Sequence, residues 1–182
     1  DTLFPYPDKG AAPGAAAAAK PYGVQGGDFG VRASLYYNGS DPEHVINSCK
    51  GLGEFWQICW TQTRASETWR AYNYPHVAAV YWSLYRLARY GPPGLVTRQT
   101  WDWYLRQAAN TFTAMWKFGP GYGKWGLMVG SVFRHIHADV VEEGWTKEAQ
   151  DMGAVISERL DFWQSLTFPY GSEMSWDNTG HE

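Results

Sequence analysis

The chemistry-bearing residues of this chain gather at its C-terminal end. Phe168-Pro169-Tyr170-Gly171-Ser172-Glu173-Met174-Ser175-Trp176-Asp177-Asn178-Thr179-Gly180-His181-Glu182 packs three carboxylates, a histidine and three aromatic rings into one short run. Helical periodicity stops after Leu166, so the run reads as a loop carried by a helical scaffold, where catalytic groups commonly sit. Breaking a glycosidic bond requires one carboxylic acid to protonate the leaving oxygen. It also requires a carboxylate that activates water or attacks the sugar. Glu173 and Asp177 are the candidate acid–base pair, with Glu182 in reserve. Tyr170 and Trp176 would stack on the sugar ring. Asp177 and Thr179 are also good helix N-cap types, so capping is the competing structural role.

A second cluster, Glu67-Thr68-Trp69-Arg70-Ala71-Tyr72-Asn73-Tyr74-Pro75-His76, leads straight into a strongly periodic segment. Trp69, Tyr74 and His76 are candidates for lining a sugar subsite, with Arg70 positioning a carboxylate. Ordinary aromatic packing at a helix start is the alternative. His135 and His137 diverge by about 200° on a helix, so no metal site is expected there. His135 and Asp139 share a helix face, as do Arg134 and His137, in the manner of solvated polar faces. No phosphate loop, nucleophile elbow or CxxC pair is present, and no cofactor is expected.

Composition agrees with a carbohydrate partner. Eleven Trp, twelve Tyr and eight Phe make up 17 % of the 182 residues. Flat apolar faces with polar edges suit the C–H faces of sugars. A net charge of -3 gives no basic patch, which argues against nucleic acid and anionic membrane as partners. No apolar run approaches the roughly 20 residues that span a bilayer. Asn38-Gly39-Ser40 fits the N-glycosylation sequon. Cys49 and Cys59 are an even pair, read either as a disulfide or as two buried thiols. These features together lead to the expectation of a secreted, extracellular protein, with any leader removed or outside this chain.

The elements that must position these residues are helices. Residues 1–40 read as an irregular Gly/Pro/Ala-rich arm and extended entry, punctuated by Pro13, Gly14 and Pro21, with a short strand or extended stretch over 31–37. Residues 41–182 read as one helical-hairpin domain. Asp41-Pro42-Glu43 starts a short helix over 42–50, and a second is expected over 53–70.

Four stronger helices follow. The first covers 75–90, with Val77, Val80, Tyr81, Leu84, Leu87 and Ala88 inward. The second is capped by Thr97 and runs to Phe118, with Trp101, Leu105, Ala108, Phe112 and Met115 inward. The third covers 125–143, with Leu127, Met128, Val132, Ile136 and Val140 inward, and the fourth is capped by Thr146, with Ala149, Met152, Ile156, Leu160 and Trp163 inward. Gly126, Gly130 and Gly153 are expected inside helices, as points of close approach. An all-α fold of antiparallel hairpins follows.

The run from Glu67 to Tyr72, followed by His76 to Arg89, resembles a segment of a largely uncharacterised family of secreted microbial proteins related to six-hairpin glycosidases. The closing run from Pro169 to Glu182 resembles the same family's signature, and the likeness covers residues 30–182. The resemblance implies an (α/α)6-type toroid and glycosidase or related sugar-active chemistry. Six hairpins need about twelve helices, and this chain offers five or six. An incomplete toroid is therefore expected, with the remainder of its own chain as a partner.

Three functions remain in contention. A glycoside hydrolase would use Glu173 and Asp177. A polysaccharide lyase would use Tyr74 or His76 as base, with Arg70 neutralising a uronate. A non-catalytic sugar-binding scaffold would keep the aromatic rim alone.

Overall fold

A computed structural model describes residues 25–34 and 65–167, together with the backbone of residues 5–6. Within these the chain is mostly helical. It divides into two compact units, 1–70 and 71–182, each considered by itself.

In the first unit, β1 (Pro5–Tyr6) pairs in parallel with β2 (Gln25–Gly26), and Gln25 also bridges to Val31. The chain turns tightly between them. The Gly26 N–H donates to the Gly30 carbonyl and the Phe29 N–H to the Gly26 carbonyl, both at 3.0 Å. Asp28 Oδ1 accepts from the Gly30 N–H, while buried Gln25 donates Nε2–H to the Phe29 carbonyl. A β-carbon at Gly26 would come within 2.7 Å of that Asp28 oxygen, so a larger residue there would displace the Asp28 side chain from the turn. Of the helix expected over 53–70, Ala65 and Ser66 are helical and Glu67 to Arg70 are not, while its earlier part and the helix expected over 42–50 lie outside the described residues. The Glu67 and Ala65 carbonyls accept from the N–H groups of Ala33 and Ser34.

The second unit holds the four long helices. They are α1 (Asn73–Tyr90), α2 (Trp101–Phe118), α4 (Val132–Glu142) and α5 (Thr146–Ser165), with the single turn α3 (Pro120–Gly123) after α2. α2 is the centre, packed on α1, α4 and α5. Its inward residues Leu105, Ala108, Phe112 and Met115 are buried as the periodicity predicts, and Phe112 stacks on Phe133 of α4 at 4.2 Å.

Elsewhere the faces and boundaries depart from expectation. On α1 the buried stripe is Tyr74, Val77, Ala78, Tyr81 and Tyr85, whereas Val80 and Leu87 are exposed. Tyrosines win this face because each ring removes more apolar area than a leucine, and a hydroxyl such as that of Tyr85 still finds a partner. On α5, Met152, Val155 and Arg159 face inward and Leu160 faces out. That face is displaced by about one residue, roughly 100° of helix, from the predicted stripe.

α4 begins at Val132 rather than near residue 125, so Gly126 and Gly130 lie before it. The interruption sits at Val129, whose φ of 63 is a left-handed conformation that β-branched residues rarely adopt. Met128 beside it is exposed. Gly153 lies inside α5, but a β-carbon there would make only ordinary contact with His137, at 3.6 Å. Thr97 and Thr146 do not cap. α2 starts after Thr100 and α5 starts on Thr146 itself, with no side-chain cap bond at either.

Candidate functional site

The helix α4 offers polar groups on two sides, and each side has a different fate. On the α1 side it forms a closed seam. Asp139, almost fully buried, accepts a 2.6 Å hydrogen bond from Trp82 Nε1 and lies 3.6 Å from Arg86. One turn later Glu143 Oε1 accepts from Tyr85 at 3.0 Å and from Arg89 Nε at 2.9 Å. The guanidinium of Arg86 lies near the rings of Trp82 and Tyr90, and that of Arg89 near Tyr90 and Trp101. Trp101 in turn stacks on Trp145. Every acid in this seam has a cation and an aromatic donor. Burial, then hydrogen bonds to Tyr90 and Glu143, hold the Tyr85 phenol far above its ordinary value. Burial does the same for Tyr81.

On the α5 side lies an open cleft of about 400 Å³. Its apolar wall comes from Phe133, Ile156, Leu160 and Trp163, and its polar wall from Arg134, His135 and Arg159, with Gly130 and Ser131 at one end. Arg159 is 4 % exposed. It donates Nε–H to the Gly123 carbonyl at 2.7 Å and Nη2–H to the Trp125 carbonyl at 2.9 Å. Trp163 Nε1 donates to the Lys124 carbonyl at 2.6 Å, and the Arg159 guanidinium lies 4.9 Å from the centre of that ring. The 123–125 turn thus locks both cleft residues in place. The strained Val129 adjoins the Gly130 end of the cleft. His135 is exposed, lines the cleft and stacks on Trp82 of the seam at 5.6 Å.

Four of the predicted catalytic and binding residues, Trp69, Arg70, Tyr74 and His76, lie among the described residues. Trp69 donates Nε1–H to Glu67 at 2.7 Å, and Trp69 and Arg70 are half-buried in the first unit. Tyr74 has no exposed surface and belongs to the α1 core, so it has no face to offer a ligand. His76 is exposed at the start of α1. Tyr170, Glu173, Trp176, Asp177, Glu182, Asn38, Cys49 and Cys59 lie outside the described residues. Among the described residues no group of three His, Cys, Asp or Glu could hold a metal, and no helix is long and apolar enough to cross a membrane.

The cleft residues escaped sequence reasoning. Trp163 reads as plain core. The signal for Arg159 is its place seven residues after Met152 and four after Val155, on the buried face.

An all-α domain with an aromatic and cationic cleft between α4 and α5 is the class of protein that fold and site define. The chain belongs to DUF5695, a family of unknown function, whose model matches residues 22–182. No curated protein and no solved structure matches it.

Proposed function

We propose that this protein acts on carbohydrate, as a glycoside hydrolase built on part of an (α/α)6-type toroid. The observation that carries the reading is the α4–α5 cleft. It combines Trp163, Phe133 and aliphatic side chains with a few fixed polar groups, the usual make-up of a small-ligand site. Its volume of about 400 Å³ falls within the range of roughly 300–1,000 Å³ common for such sites. No carboxylate lines the cleft among the described residues, so in this reading the acid–base pair comes from Glu173 and Asp177, with Glu182 in reserve. The toroid draws support from α1. Its Val80 and Leu87 form a second, outward apolar stripe, as a helix flanked by hairpins on both sides requires. An extracellular setting belongs to the same proposal.

Release of reducing sugar from one member of a panel of plant, fungal and bacterial polysaccharides tests it. Glu173→Gln and Asp177→Asn should each abolish that release while leaving the fold intact. Full activity in both variants would overturn the assignment.

A polysaccharide lyase is the second reading, favoured by the cationic groups of the cleft. Of its two candidate bases only His76 is at the surface, since Tyr74 is buried. A product absorbing in the ultraviolet, from an unsaturated uronate, would select the lyase.

A further inference from the structure

The α4–α5 cleft is cationic in a chain that is acidic overall, with a net charge of -3. Arg134, His135 and Arg159 contribute to its lining, and no acid does so among the described residues. Arg159 is tied to the carbonyls of Gly123 and Trp125, which fixes it in the lining. Arg134 is exposed at the cleft, and among the described residues no acid pairs with it.

The contrast with the neighbouring seam gives this weight. Arg86, Arg89 and Arg106 each meet a carboxylate, Asp139, Glu143 and Glu148 respectively. These three arginines face acids, whereas Arg134, beside the cavity, faces none among the described residues. The same cleft is lined by Trp163 and Leu160 of α5, which offer apolar surface. A ligand that matches both walls has a flat, partly apolar body and a planar anion at its edge.

Resting on the carbohydrate reading above, we propose that the cleft is a subsite for an acidic sugar, a uronate whose carboxylate pairs with Arg134 while its ring packs against Trp163. The guanidinium fork of Arg134 fits a carboxylate through two parallel N–H···O bonds. Arg159 is held by the 123–125 turn and serves to fix that part of the lining. His135 stands one residue from Arg134 along α4 and adds a hydrogen-bond donor or acceptor at the mouth.

Calorimetric titration of the full chain with trisaccharides of galacturonate and glucuronate, beside neutral galactose and glucose trisaccharides, tests this. One of the two acidic sugars should bind at least tenfold more tightly than its neutral counterpart, and more weakly as salt is raised. Arg134→Gln should reduce that affinity roughly tenfold, the usual worth of one charged hydrogen-bonded pair. His135→Gln, a second exposed and foldable variant, should lower it by a smaller factor.

Tighter binding of the neutral trisaccharides would overturn the acidic subsite and leave the carbohydrate reading standing. Equal affinity of Arg134→Gln and the parent protein for the acidic sugar would also overturn it. Binding of sulfated but not carboxylated trisaccharides would overturn the uronate and assign the cleft to sulfated sugar. Failure of every sugar to bind would overturn both readings.

Discussion

The two sides of α4 use the same kinds of residue to opposite ends. Toward α1, arginines, aromatic rings and carboxylates interlock, each acid taking a hydrogen from Trp82 or Tyr85 and facing Arg86 or Arg89. Toward α5, arginine and tryptophan again stand together, and no acid lines the cleft among the described residues. In the seam, charge is spent within the fold, and the result is a closed, satisfied joint. In the cleft, charge is left over and space is left with it. Arg134 is exposed beside that space and has no acid among the described residues, so its guanidinium is available to a ligand.

Arg159 is where that comparison breaks hardest. It belongs to the cleft, yet two carbonyl oxygens depend on it. Arg159→Met keeps much of the stem's volume and strands both carbonyls, so it should cost about 3 kcal/mol in urea unfolding. An unchanged midpoint would mean that the 123–125 turn is held by something else.

The seam should respond next. Asp139→Leu leaves Trp82 Nε1 without its acceptor and should cost about 2 kcal/mol. Asp139→Asn keeps an acceptor and surrenders only the half-exposed Arg86 pair, so it should cost less than about 1 kcal/mol. Equal losses in the two variants would show that the ion pair, rather than the tryptophan hydrogen bond, holds the joint.

Tyr85→Phe removes one of the donors to Glu143 while Arg89 remains, and about 1 kcal/mol should go with it. The same residue sets a pH dependence. Tyr81 and Tyr85 are both raised above the ordinary value of 10.0, burial being the main cause. Below that value folded and unfolded chains both keep the phenolic proton, and the contribution to stability is complete. Above it the unfolded chain ionises first, so stability falls as pH rises from about 9 to about 11. Tyr85→Phe should flatten that fall. A parent protein whose urea midpoint stays level over this interval would contradict the buried, protonated phenols.

Much of this helical frame was legible because periodicity and terminators agreed. The α2 stripe and the stop after Tyr90 came directly from spacing and from Gly91-Pro92-Pro93. What failed was the choice between two apolar faces. α1 carries Val80 and Leu87 on one side and Tyr74, Tyr81 and Tyr85 on the other, and only packing decides which is covered. The late start of α4 rests on Val129 in a left-handed conformation, which propensity alone would never assign to valine. The cleft was hidden for a related reason. Arg159 sits on the inward face of α5, where a charged residue reads as an error in the stripe until its carbonyl partners, far back in the chain, are known. Of the seam, the shared face of His135 and Asp139 was visible, but Trp82 as their common partner was not.

The smallest effect separates the two sides of α4 most sharply. Arg134 is exposed and unpaired among the described residues, so Arg134→Gln should move the urea midpoint by no more than about 0.5 kcal/mol. Arg159→Met in the same cleft should move it several times further, because there the guanidinium also holds the fold. If Arg134→Gln instead destabilised the protein by 1 kcal/mol or so, its guanidinium would be doing structural work of the kind seen in Arg86 and Arg89. The distinction between a spent charge and a spare one would then fail at the residue on which it rests most. A silent stability change combined with lost affinity for an acidic trisaccharide is the outcome in which the two sides of α4 stay distinct.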